Sequence, residues 1–263
     1  MNVLAKCASL GILCALSTVA YAHEANSYFN ASKDFESLIE QSMQNGQMPR
    51  ISDKEAAKLF VVLSDSDRFL NSPAYQLKDL DSLMGICGKA TSISMSYLYF
   101  NLKKNVNPKN DPSAVALQVA KVMENNTLSF QNELEQLQPF ISRCTAKEIP
   151  LLNEFIASLP PEQLTATRRA GLQQMRNGIS QIYIGSLLVA SNSAYKESYR
   201  SKILQALAET APQFSLLLQP NIRIQIKDFA ISKQATSPKA FIELLNSIAR
   251  AMGETGCTGL CRF

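Results

Sequence analysis

The chain has 263 residues, of which 46% are hydrophobic and 18% charged, with 26 Lys and Arg against 22 Asp and Glu. This composition is typical of a globular protein with a hydrophobic core, and it excludes a disordered or fibrous chain. The sequence has no Trp and a single His, His23, which argues against His-based catalytic triads and His-ligated zinc sites. No motif for a metal or a cofactor is present, and we predict none of either.

The first 22 residues have the pattern of a secretory signal peptide. Lys6 is their one charged residue, an apolar run extends over 8–20, and Ala20-Tyr21-Ala22 forms a small-residue cleavage site. The apolar run is too short to cross a membrane. We therefore predict cleavage after Ala22 and a mature protein, 23–263, that has no membrane span and is periplasmic or secreted.

The mature chain is mildly basic. Removal of Lys6 leaves 25 basic and 22 acidic residues, a net charge of +3. No segment gathers the dense Lys and Arg, with interleaved aromatic side chains, that nucleic-acid binding uses. We predict that nucleic acid is not a ligand.

Four of the six cysteines remain after cleavage: Cys87, Cys144, Cys257 and Cys261. An even number in an exported chain indicates disulfides, with three possible pairings. The Gly-rich segment 256–261 permits a short local loop, so we favour Cys257 with Cys261 and Cys87 with Cys144. Loop-closure entropy predicts that the longer bridge stabilises the fold by about 4 kcal/mol and the shorter by about 2 kcal/mol.

Helical periodicity extends over almost all of the mature chain. Ser52-Asp53-Lys54-Glu55 has the form of a capping box and predicts a helix over 53–64. A long apolar helix, rich in small residues, is predicted over 79–103. Further helices are predicted from 111 to an interruption at 125–127, then over 130–141, 146–158, 162–190, 195–210 and 238–252.

Only the segment 221–227 alternates between apolar and polar residues. A lone strand has no partner in this chain, so we expect irregular extended structure or part of a helix there. The predicted fold class is all-α, a disulfide-stapled bundle of about eight to nine helices. Residues 23–263 form a single helical domain in this interpretation, or two halves that meet near residue 160.

Arg168 lies at the centre of a predicted apolar stripe on the helix over 162–190. An unpaired buried guanidinium costs several kcal/mol. Two interpretations stay open: an ion pair with an acid on a neighbouring helix, or a cleft in which Arg168 receives a carboxylate or a phosphate. Arg169 and Arg176 flank the stripe, either as a solvated face or as part of the same anion-binding surface.

Glu36-Ser37 is similar to the Glu-Ser pair at the active site of all-helical enzymes that cleave cell-wall glycan. Such an enzyme acts through a single carboxylate and needs no His. The Gly-rich and aromatic segments that accompany the pair in that family are absent here. A glycan-cleaving enzyme is therefore the alternative function, and no catalytic residue is assigned.

The function that we expect is binding rather than catalysis. The expected partner is another protein of the cell envelope, or an anionic envelope ligand. Binding would combine shape-matched apolar contact with anion pairing at Arg168, Arg169 and Arg176. Immunity to a toxin, inhibition and assistance in envelope assembly all fit this description.

Overall fold

The computed structural model describes residues 5–71, 75–253 and 256–263, with side chains from residue 25 onward. The predicted leader, 1–22, and His23 lie outside the residues whose side chains are described. Within the described ranges there are ten α-helices and no strand, and α4 is a single turn. The helices are α1 (Ala5–Gln44), α2 (Lys54–Leu63), α3 (Leu80–Leu98), α4 (Leu102–Asn105), α5 (Pro112–Ser129), α6 (Gln131–Ser158), α7 (Ala166–Ser191), α8 (Glu197–Leu217), α9 (Pro220–Gln234) and α10 (Lys239–Met252).

The predicted all-α fold is confirmed, and the ambiguous segment 221–227 belongs to α9. Ile226 and Ala230, four residues apart, are buried on one face of this helix, and the α9 helix packs against α10. Helical spacing of the buried residues therefore prevails over the local alternation.

One predicted helix cap and one predicted helix end were wrong for identifiable reasons. The capping box at Ser52 is absent, because α2 begins after Asp53 and the Asp53 carboxylate accepts a hydrogen bond from the Arg50 amide at 2.8 Å. The helix predicted over 79–103 ends at Leu98, because Asn101 has a φ of 58°, in the left-handed region that interrupts a right-handed helix.

Two predicted interruptions do not exist. Helix α5 continues through 125–127, because the Asn126 side-chain amide donates to the carbonyls of Leu98 and Phe100, each at 2.9 Å. Asparagine usually favours turns, and here its tertiary hydrogen bonds keep it within a helix. The segments 130–141 and 146–158 are one helix, α6.

Helix α6 is the centre of the packing. It is antiparallel to α3, as the Cys87–Cys144 bridge and the Tyr97–Phe130 ring contact at 5.2 Å show. It is parallel to α8, because the ion pairs Glu135–Lys202 and Arg143–Glu209 rise together along both helices. Helix α1 packs on α2 and α3, α2 also contacts α6, and α10 packs on both α8 and α9. Buried side chains from Ala25 to Leu260 form one contiguous core.

Both favoured disulfide pairs, Cys87–Cys144 and Cys257–Cys261, are present, with Cα–Cα distances of 5.6 and 5.3 Å. The first joins α3 to α6. The second closes the C-terminal segment, where Gly259 has a φ of +55° and a Cβ atom there would overlap the Asn153 side chain. Among the described helices, none is both long and apolar enough to cross a bilayer.

Candidate functional site

A groove of about 620 Å³ lies between α3, α5 and α7 and is floored by α6. Its volume is within the range of ligand sites, roughly 300 to 1,000 Å³. The floor is formed by Met95 and Leu98 of α3 together with Gln138 and Ile141 of α6. The groove therefore has an apolar base between two helices that a disulfide joins.

One wall of the groove is the face of α7 that carries Gly178 and Gly185. A Cβ atom added at either glycine meets no other atom within 4 Å. These glycines therefore do not permit a close approach of helices within the chain; they leave space. Leu188 lies on the same wall and is 53% exposed, so the open side of the groove presents an apolar side chain.

The opposite wall is the α5 helix, with Ala120, Met123, Glu124 and Thr127. This helix buries few side chains, Val122 and Thr127 among them. The α5 helix is held at its C-terminal end by the contacts of Asn126 with the end of α3. The slot between α5 and α7 is therefore a place in the bundle that the described helices leave unfilled.

One end of the groove is polar, where Glu124 and Thr127 of α5 meet Asn192 and Tyr195, which follow α7. Burial raises the pKa of the Tyr195 hydroxyl, the Glu124 carboxylate raises this pKa further, and a hydrogen bond with Thr127 opposes the rise. The Glu124 carboxylate is thus close enough to the Tyr195 hydroxyl to act on it electrostatically.

The structure places Arg168 on the surface, so the predicted burial of this residue was wrong. Its Nη1 donates to the backbone carbonyl of Gln163 at 3.0 Å and to the side-chain carbonyl of the same residue at 3.1 Å. Helices α7 and α8 are antiparallel, because the Tyr183 hydroxyl donates to the Leu207 carbonyl and the Arg200 Nε donates to the Ala190 carbonyl. This register puts Leu172 level with the end of α8, so Arg168, one turn earlier, lies beyond the neighbour that would have covered it.

Arg169 is also exposed, and its Nε donates to the Leu164 carbonyl at 3.0 Å. Arg176, in contrast, is only 4% exposed. It lies on the buried stripe of α7 between Leu172 and Ile179, where we had expected a flanking residue. Two of its nitrogens share the Asn177 side-chain oxygen, and its Nη1 has no hydrogen-bond partner among the described residues. None of the three arginines lines the groove, and their role in anion binding stays a prediction.

Glu36, the residue behind the enzyme alternative, forms an ion pair with Lys89. Both carboxylate oxygens accept from the Lys89 ammonium, at 2.8 and 2.9 Å. Glu36 lies outside the lining of the groove. The pair links α1 to α3 at the surface.

Glu148 is a buried carboxyl that the sequence did not indicate. It is 8% exposed, and desolvation raises its pKa to about 8. Burial therefore favours the protonated form of this carboxyl group. Among the described side chains, no group of three or more His, Cys, Asp and Glu has the arrangement of a metal site.

The groove itself was missed, although a signal for it is present in the sequence. Gly171, Gly178 and Gly185 recur every seven residues within one helix, which places them on one face. Glycine in a helix interior costs up to about 1 kcal/mol relative to Ala. Glycine repeated at this spacing, despite its cost to the helix, indicates a helix face that is kept free of side chains.

Comparisons with protein-family models, with curated proteins and with solved structures gave no match to this chain. The functional interpretation therefore depends on the groove and its chemistry.

Proposed function

We propose that this chain is an exported binding protein of the cell envelope, and that its groove receives an α-helical segment of a partner protein. The observation that carries the proposal is the unfilled slot between α5 and α7, in which Gly178 and Gly185 expose open space. Burying an amphipathic helix in an apolar groove between helices is a recurrent mode of protein recognition.

The dimensions of the groove suit a helix. The α7 wall extends from Gly178 to Asn192, which corresponds to about 21 Å of helix, or about four turns. The two wall glycines are seven residues apart, so a partner helix meets a notch at every second turn. The wall is open along its outer side, where Leu188 is exposed, and such a groove favours a partner that lies across it over a small molecule enclosed within it.

The chemistry of the groove favours a protein over an anionic envelope ligand. No lysine or arginine is among the described residues that line it, so a phosphate or carboxylate would find no cation there. Two disulfides and the N-terminal pattern support an oxidising compartment outside the cytosol.

The test is to fill the groove without disturbing the fold. Gly185→Leu places a side chain in open space, and Gly171→Leu makes the same change on the same helix outside the groove lining. A photo-crosslinking amino acid at Leu188 is expected to capture a partner protein, identified by mass spectrometry, in the parent chain and in Gly171→Leu, and to lose it in Gly185→Leu. Crosslinks that survive Gly185→Leu, or that match those from a control position at Ile231 on α9, would overturn the proposal.

A further inference from the structure

The charge distribution of the groove points to the chemistry of its occupant. Glu124 is the one formally charged side chain among the described residues that line the groove. It lies at one end, with the Asn192 amide and the Tyr195 hydroxyl, whereas the rest of the lining is apolar or neutral. The two ends of the groove therefore differ in charge: one is negative and the other is uncharged.

Glu124 has no ion pair in the described part of the chain. The salt bridges there join other residues, and none of them pairs Glu124 with Lys121, one turn away on α5. Water solvates the Glu124 carboxylate in the free protein, because the side chain is exposed. A helix that covers the groove removes part of this water, and the charged carboxylate then weakens binding unless a cation takes the place of the lost water.

We infer that the docked helix carries an Arg or Lys in the turn that lies against Glu124, Asn192 and Tyr195. This inference rests on the proposed function and names the partner more closely: an amphipathic helix with an apolar face of about four turns and a basic residue at one end. An arginine matches the site best, because its planar fork donates to the Glu124 carboxylate and to the Asn192 side-chain oxygen together.

The test uses two synthetic amphipathic peptides of four helical turns with the same leucine and alanine stripe. One peptide has Arg in both terminal turns and the other has Glu there, so that the orientation of binding does not matter. The net charge is positive both for the whole chain, at +4, and for the predicted mature chain, at +3, so non-specific attraction favours the Glu peptide. Fluorescence anisotropy is expected to show that the Arg peptide binds at least about tenfold more tightly, the effect of a charge-assisted hydrogen bond.

Variants separate the two claims. Glu124→Gln is expected to bring the affinities of the two peptides together, whereas Glu162→Gln, a change at an exposed glutamate outside the groove, leaves their ratio unchanged. Equal binding of both peptides that is lost in Gly185→Leu would overturn the basic-residue inference and leave the groove proposal standing. Absence of binding by both peptides, or binding that survives Gly185→Leu, would overturn the groove proposal.

Discussion

The two faces of α7 use the same helix in opposite ways. The face towards α8 is filled, with Leu172, Tyr183 and Leu187 buried against that helix. The face towards α5 carries Gly178 and Gly185, and no atom of the described chain occupies the space beside them. The open face is thus specific to the α5 side of α7, because the same turns pack closely on their other side.

The largest expected effect concerns the packed interior, which encloses Glu148 of α6. Its pKa is raised to about 8 from an ordinary value of 4.5, so the folded state retains a proton that the unfolded chain releases. Stability from this group is complete below about pH 4.5 and is lost as the pH rises towards 8, by about 1.4 kcal/mol per pH unit within that window. As the pH rises from 4.5 to 8, the free energy of unfolding of Glu148→Gln is expected to increase relative to that of the parent by on the order of 5 kcal/mol.

Urea unfolding at several pH values measures this difference. Glu154→Gln, on the exposed side of the same helix, is the control and should follow the parent. A constant gap between Glu148→Gln and the parent across the pH range would show that the Glu148 carboxyl is not shielded from water.

Two adjacent leucines of α7 allow the stability contributions of the packed face and the open face to be compared. Leu187 is buried and Leu188 is 53% exposed beside the groove. Leu187→Ala is expected to lower the free energy of unfolding by about 3 kcal/mol, because it leaves a cavity against α8. Leu188→Ala is expected to cost less than about 0.5 kcal/mol. Equal losses in denaturant unfolding would mean that both faces are packed.

Arg168 and Arg176 lie one helical turn before and one turn after Leu172, and they are expected to differ in their effect on stability. Arg176 is buried with an unpaired nitrogen, and Arg168 is exposed. Arg176→Met is expected to raise the free energy of unfolding by about 1 kcal/mol, because it replaces a desolvated charge with an apolar chain of similar length. Arg168→Met is expected to change it by less than about 0.5 kcal/mol. A marked loss in the Arg176 variant would reveal a partner for its guanidinium.

The smallest expected effect comes from the glycines. Gly185→Ala and Gly178→Ala should each stabilise the fold by about 0.5 to 1 kcal/mol, because alanine is the better helix former and its Cβ meets nothing. Gly85→Ala on α3 should destabilise, because its Cβ would lie 2.9 Å from the Phe29 ring. Thermal melts compare the three variants. A loss of stability in the α7 variants would show that the groove is filled.

The sequence predicted the fold well where one helix face dominates. Helix α10 was predicted almost to the residue, because Phe241, Leu245, Ile248 and Met252 recur at helical spacing. The disulfide pairing was also predicted, since the short Gly-rich segment leaves Cys87 and Cys144 for each other. The export of the chain and its division into one or two domains stay predictions.

The candidate site was not predicted, for a physical reason. The apolar stripe of α7 was predicted correctly at Leu172 and Ile179, which are buried. Arg168 lies on the same stripe but is exposed, because α8 ends before reaching it. Where a neighbouring helix ends is a tertiary property, and the periodicity of one helix does not contain it. The groove depends likewise on a space between α5 and α7, which only the arrangement of both helices defines.

The disulfide between Cys87 and Cys144 lies next to the base of the groove. Thr91 lies one turn beyond Cys87, and Ile141 lies one turn before Cys144; both border the groove. A covalent clamp therefore sets the width of the base, whereas α5 and α7 are held there by non-covalent contacts alone. In the proposed binding mode, a bulkier partner helix would displace α5 and α7, and the base would keep its spacing as long as the disulfide stays intact.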